Sequence, residues 1–217
     1  MSSYPSHHVY EALYAKYYSG RDIQELLQLL EPLEGSWIID LCGGDGRLAK
    51  AALEAGASSG LLVDASKDMA SAAQRYPHLL IRVQPVHDAL IGLRMRGARY
   101  DRVVCRQAVN YWLNESAAGL VSRVLKPGGI FAFNTFNEKP TTLPRTKAYE
   151  YGGHSFVEIS WLVGDMVHHV QVRDGMEPHC TSFRWIPPEE FHALLAPHFE
   201  VEEHREGKTS LYKCTRK

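Results

Sequence analysis

Apolar and polar positions follow two regimes along this chain, and the change falls near Asn137. Before it, short apolar runs that end at aspartate or glycine alternate with stretches whose apolar residues recur at helical spacing. Tyr10 to about Leu30 reads as two helices punctuated by Gly20-Arg21-Asp22. Trp37–Leu41 reads as a strand, Asp45–Ala55 as a helix, and Gly60–Asp64 as a second strand. Ser66 is placed to cap a helix through Arg75, which Pro77 stops. Leu79–Val83 and Tyr100–Cys105 supply a third and a fourth strand. Asn114 caps a helix to Leu125, the Lys126-Pro127-Gly128-Gly129 turn ends it, and Ile130–Phe136 is the fifth strand. Beyond Asn137, residues 138–147 read as a loop rich in Pro, Thr and Lys. Ser155–Val163, Met166–Arg173 and Cys180–Trp185 alternate apolar with polar residues around Gly164-Asp165 and Asp174-Gly175, the mark of antiparallel ribbon. Pro187-Pro188-Glu189-Glu190 opens a helix over Phe191–Leu195, and Phe199–Glu203 and Ser210–Thr215 close the chain as strands. Strands spaced by helices predict an α/β fold: a doubly wound, mostly parallel seven-stranded sheet, with the ribbon inserted after the fifth strand.

Composition narrows the classes. The chain has 217 residues, 45% hydrophobic and 23% charged, which suits one soluble α/β domain. A net charge of -1 gives no footprint for nucleic acid or an anionic membrane. The first residues lack the basic and apolar regions of a secretory signal, and no apolar run approaches the ~18 residues of a membrane span. Cys42, Cys105, Cys180 and Cys214 are widely spaced, with no CxxC, and fit a reducing cytoplasm.

The first strand runs into Asp40-Leu41-Cys42-Gly43-Gly44-Asp45-Gly46, a glycine-rich loop that opens a helix. Such a loop brings a ligand close to backbone N–H groups. Gly44-Asp45-Gly46-Arg47-Leu48-Ala49 also fits the dinucleotide fingerprint G-x-G-x-x-G/A, so an NAD(P)-dependent oxidoreductase is the competing reading. Asp40 separates the two, because a carboxylate repels a pyrophosphate and attracts a cation. Asp64 ends the second strand twenty residues after Gly44, where an acidic residue accepts from ribose hydroxyls. Asp88 follows the third strand and can accept from an adenine amino group. The set describes an adenosine with a cationic tail.

On these motifs the chain resembles the class I S-adenosylmethionine-dependent methyltransferases, over roughly residues 10–136. Asp40–Gly46 matches the family's first motif, Val63-Asp64-Ala65-Ser66-Lys67-Asp68-Met69 its second, and Leu125–Gly129 the turn before its fifth strand. Cys42-Gly43 departs from the more usual Gly-Cys. The resemblance implies a Rossmann-like methyltransferase fold and S-adenosyl-L-methionine as cofactor, with S-adenosyl-L-homocysteine as product. It places Asp40 and the Gly43–Gly46 backbone at the methionine, Asp64 at the ribose, and Asp88 with His87 or Ala89 at the adenine. Met69 packs on the nucleoside, and Cys42, Ala65 and Cys105 complete the expected lining. The N-terminal segment covers the cofactor, with Tyr14 or Tyr18 reaching the methionine carboxylate and Arg21 as an ion-pair partner. It further implies one domain over 1–217: a helical cap (10–35), a cofactor-binding core (36–137), an inserted lid over the acceptor (138–186) and a closing unit (187–217).

The acceptor side is read from position alone. Arg106 and Gln107 follow the fourth strand and are expected at the transferred methyl, with Asn110 and Tyr111 as substrate contacts. Trp161 and Trp185 would wall the acceptor, and His168, with His154 and His169 as alternatives, is a candidate base. His168 and His169 point to opposite sides of one strand, and no His/Cys cluster appears, so no metal is expected. The expected partner is a small-molecule acceptor with an O or N nucleophile, without nucleic acid or membrane. Methylation of RNA or protein, and a binding or scaffold protein that has lost transfer, are the remaining alternatives; oligomeric state is open.

Overall fold

A computed structural model describes residues 7–14, 20–74 and 76–217. The chain opens with α1 (His7–Tyr14) and α2 (Arg21–Leu30). The Rossmann-like part follows: β1 (Trp37–Leu41), α3 (Arg47–Glu54), β2 (Ser59–Asp64), α4 (Lys67–Ala73), β3 (Leu79–Val83), α5 (Val86–Met95), β4 (Tyr100–Arg106), a 3-10 turn at Val109–Tyr111, α6 (Glu115–Val124) and β5 (Leu125–Phe136). Four antiparallel strands come next: β6 (Arg145–Tyr151), β7 (His154–Val163), β8 (Met166–Arg173) and β9 (His179–Arg184). The chain closes with α7 (Pro188–Leu195), β10 (Phe199–Glu206) and β11 (Thr209–Arg216).

The main sheet has seven strands in the order β10-β11-β5-β4-β1-β2-β3. β3, β2, β1, β4 and β5 are parallel, and β11 runs antiparallel between β5 and β10. Helical crossovers require both faces to be covered, so its strands are apolar on both sides. Ile38, Val104 and Ala132 pack under α2 and α3, while Ile39, Val103, Phe131 and Phe133 pack under α5, α6 and α7. Reversal of strand order at β1 and β4 opens a crevice at their carboxyl ends.

Local signals fixed several boundaries. The Ser66 hydroxyl accepts from Met69 N, and Asn114 Oδ1 accepts from Ala117 N, so both expected caps form. Four expectations change. Arg21 and Asp22 begin α2 rather than precede it, and only Gly20, with φ 72°, punctuates. Residues Val86–Met95, not anticipated as a helix, form α5, whose buried Val86, Ala89, Leu90 and Leu93 have helical spacing. The turn at Lys126–Gly129 falls inside β5, at a register shift between Tyr100 and Arg102 of β4. The expected 138–147 loop ends early, because β6 adds a fourth strand to the ribbon.

The second sheet has the order β6-β7-β8-β9. His179 pairs with Gln171, Thr181 with His169, and Ser182 with His168. Directly paired residues share a face and neighbours along a strand do not. Gln171, His169, His179 and Thr181 therefore share one face, and His168, Trp161, Cys180 and Ser182 the other.

Candidate active site

The crevice at the ends of β1 and β4 is a cleft of about 770 Å³, part of it open to solvent. Its floor is Asp40, the Cys42–Asp45 loop and Leu48; Met69 flanks it, and Arg106, Gln107, Ala108 and Tyr111 form the β4 side. Tyr10 of α1 reaches it from one direction, and His179 and Thr181 of β9 from another. The inserted sheet thus forms a wall of the cleft, opposite the face that carries His168.

Asp40 is 1% exposed and lies directly beneath the loop. A Cβ on Gly43 would stand 2.8 Å from the Asp40 carboxylate and 2.9 Å from Leu62, so only glycine fits there. Asp40 Oδ2 accepts from Ala49 N at 3.2 Å, whereas Oδ1 is buried and has no hydrogen-bond partner. Burial pushes the Asp40 carboxyl up to about 7, against the pull of Arg106 and the Ala49 N–H; Asp64 and Asp45 add to the rise. A buried carboxylate oxygen left without a partner at a cleft suits a cation arriving from outside.

Cys42 has φ 56° and Gly44 φ 56°, so the loop needs two successive-but-one residues in the left-handed region. Cys42 meets that demand with a side chain, and its departure from the family motif sits at a strained position. Its thiol is held well above the usual cysteine range, first by a hydrogen bond with the Cys105 thiol and then by burial. Asp64 faces the loop from β2. Its Oδ2 accepts from Gly44 N at 2.9 Å and its Oδ1 from Ser66 N at 2.8 Å. The twenty-residue spacing of Gly44 and Asp64 is therefore a direct hydrogen bond. Burial raises the Asp64 carboxyl, opposed by those N–H groups of Ser66 and Gly44.

Arg106 is half-buried beside the cleft, and its Nη1 donates to Asp22 of α2 at 3.1 Å. Burial works against its charge, but Tyr10 and Asp22 outweigh it and hold the guanidinium more firmly protonated than usual. Gln107, at φ 56°, donates through its backbone N–H to Asn134 Oδ1 at 2.8 Å. Asn110 is turned away from the cleft: its Nδ2 donates to Arg184 O at 3.0 Å, and its Oδ1 accepts from Thr135 at 2.5 Å. Tyr111 reaches the cleft and packs on Phe183 with ring centroids 5.5 Å apart.

Other expected site residues scatter. His87 and Asp88 are exposed and Ala89 buried in the first turn of α5, none of them among the cleft residues. Ala65 is exposed just after β2, and Cys105 is buried behind Cys42. Arg21 pairs with Glu25 and Glu206 at the surface rather than at the cleft. Trp185 packs into a cluster with Leu162 and Val167. Trp161 stacks on His168, centroids 5.3 Å apart, and His168 Nδ1 bonds Ser182 at 2.9 Å, all on the face away from the cleft. Strand parity excludes His168 and Trp161 from the cleft side. Tyr18 lies outside the described residues, as does the side chain of Tyr14. Asp45 lines the cleft within the expected Gly43–Gly46 loop, while Tyr10, Leu48, Ala108, His179 and Thr181 line it without having been anticipated there. His179 escaped because the strand was expected to begin one residue later.

Asp45 anchors α1 to the loop. Arg47 Nε lies 2.6 Å from Asp45 Oδ2, Arg47 Nη2 lies 2.9 Å from Glu11 Oε1, and His7 Nε2 lies 3.7 Å from both acids. These His, Glu and Asp atoms lie within 4.8 Å of one another, and the Arg47 guanidinium sits on the two carboxylates.

Residues 38–129 match the family model described as a methyltransferase domain. The matched segment runs from β1 to the turn inside β5, and the seven-stranded sheet has the strand order of the class I, Rossmann-like methyltransferase fold. No curated protein sequence matches the chain. Among solved structures, the S-adenosylmethionine-bound amino pentose methyltransferase CalS10 from Micromonospora echinaspora superposes with a TM-score of 0.78 at 16% identity, covering 100% of both chains. The sugar N-methyltransferase KedS8 from Streptoalloteichus gives 0.70 at 18% identity, over 94% of this chain and 92% of that one. An S-adenosylmethionine-dependent methyltransferase from Clostridium acetobutylicum gives 0.69 at 16% identity, over 96% of each. At these identities the likeness is one of fold. No helix among the described residues is long and apolar enough to cross a membrane.

Proposed function

We propose that the protein transfers a methyl group to an O or N nucleophile of a small molecule, with nitrogen preferred, by in-line displacement at the sulfonium methyl. The observation that carries this reading is the buried, unpartnered Asp40 oxygen under a glycine loop, in a cleft walled by a second sheet. S-adenosylmethionine, when bound, supplies a methyl group already activated toward nucleophiles. Asp40 balances the cofactor's ammonium, while the Gly43–Gly44 backbone admits its methionine part. Asp64 serves the ribose with its remaining lone pairs, and Met69 offers an apolar surface. The resemblance puts the adenine toward the first turn of α5. Arg106, Gln107 and Tyr111 meet the acceptor from the β4 side, and Thr181 and His179 from the opposite wall. With the methyl already activated, alignment of the nucleophile and exclusion of water are the work left to these residues. The preference for nitrogen and for a small polar acceptor draws on the activities of CalS10, an amino pentose methyltransferase, and KedS8, a sugar N-methyltransferase.

Incubation with methyl-labelled S-adenosylmethionine, against size-fractionated extract and a panel of amino sugars with their hydroxyl counterparts, tests this reading. Label in small molecules, and in the amines of the panel, is expected. Label in protein or RNA, or binding of NADH without binding of S-adenosylmethionine, overturns it.

A further inference from the structure

Among the buried polar atoms without a hydrogen-bond partner on the cleft-facing side of the inserted sheet are Nε2 of His179 and Oε1 of Gln171, with Nε of Arg173 further along β8. His179 and Gln171 are register partners across β8 and β9, so they stand side by side on one face. His179 is 9% exposed and lines the cleft; Gln171 is 2% exposed and is held by its Nε2, which donates to Glu158 at 3.1 Å. That bond fixes the amide with its oxygen left over. A buried polar atom that stays unpaired is destabilising, and one that faces a cleft needs a reason.

We propose that His179 is a catalytic residue, the base that takes the proton from an amine acceptor. The proposal rests on the methyltransferase reading above. The acceptor binds as its ammonium, whose N–H proton passes to Nε2 of His179. The freed lone pair forms the new C–N bond while the methyl carbon's bond to sulfur breaks, its electron pair going to sulfur. The imidazolium then returns its proton to solvent. Burial, and next the neighbouring His169 on β8, lower the His179 imidazole below its ordinary value, which keeps it neutral and able to accept at neutral pH. The other titratable groups about it are Asp40, Cys42, Asp45 and Arg106 from the main sheet's edge, with Tyr10 and Tyr111. His168, one residue from His169, cannot take this part, because it projects from the other face.

The test compares the whole protein with His179→Gln and Cys180→Ala, the latter on the outward face. His179→Gln is expected to lower kcat on the labelled amine by about 10²- to 10⁴-fold, with cofactor affinity by calorimetry unchanged and a rate that climbs with pH as solution supplies free amine. Cys180→Ala keeps full turnover. An independent readout needs no turnover: imidazole NMR of histidine-labelled protein should show one ring, absent in His179→Gln, that titrates below the usual histidine range and shifts when the amine is added. Wild-type turnover and pH profile in His179→Gln, or a ring that titrates normally and ignores the amine, overturns the proposal while leaving the methyltransferase reading intact. Failure of the wild-type protein to bind S-adenosylmethionine overturns that reading instead.

Discussion

Asp40 bears a cost in the folded chain. Its folded-state value of about 7 stands above the ordinary 3.8, so between those limits the unfolded chain is ionised while the folded carboxyl still holds its proton. Stability therefore falls as pH rises through that window and stays low above it, by about 4 kcal/mol as an upper bound. Asp40→Asn keeps an oxygen for the Ala49 N–H and removes the charge. It should raise the melting temperature at pH 8 and weaken S-adenosylmethionine binding by about 10- to 100-fold, as expected for losing a charged hydrogen bond. Calorimetric titrations of the wild type should show cofactor affinity rising with pH up to about 7 and level beyond, because the bound cation selects the ionised form. A flat profile would detach Asp40 from the ammonium. Gly43→Ala drives a methyl into the Asp40 carboxylate, 2.8 Å away. It should abolish cofactor binding and cost about 1–3 kcal/mol in urea unfolding.

Among the elements, those with a local signature were legible in the sequence. β1 with its loop, the Ser66 and Asn114 caps and the Pro188 helix start all depend on neighbours in the chain. The buried stripe of α5 was present as well, but an aspartate near its start suggested a loop. β6 gave little to read: RTKAYEY is an edge strand that is exposed almost throughout, with no buried alternation to mark it. Alternation along β7 and β8 reveals two faces without saying which one meets the cleft. That choice is made by docking, which is why His168 and Trp161 were expected on the wrong side. The β10–β11 hairpin offers a test independent of the cleft. Burial disfavours the Glu203 charge, yet Arg205, Ser210 and His192 hold its carboxyl down at about 2. Its contribution is complete above about 4.5 and fades as pH falls toward 2. Glu203→Gln should cost about 1–2 kcal/mol at pH 7, and the gap to wild type should narrow in unfolding curves below pH 4.

In the whole molecule, the methyltransferase fold could be read from Asp40, Asp64 and the glycine loop, because these stand along consecutive βα turns. The acceptor side could not, because its wall comes from residues about 70 positions further along the chain. Asn110 bridges the two sheets, tied to Thr135 of β5 and to the backbone of Arg184 at the end of β9. Asn110→Ala leaves both partners unpaired at the junction, and should cost about 1–3 kcal/mol. Hydrogen exchange should accelerate at β9 well before it does at β1 and β4; equal protection in both sheets would show that the bridge does not couple them.

The two-residue repeat of β9 also bears on how such a cleft can diverge between lineages. His179 and Thr181 can each be replaced without disturbing Cys180 or Ser182, since odd and even positions answer to different surroundings. Gain or loss of a single codon in this strand is another matter, for it would exchange the two faces at once. Descendants that sample new acceptors should therefore differ here by point substitution or by paired changes in length, and almost never by one residue.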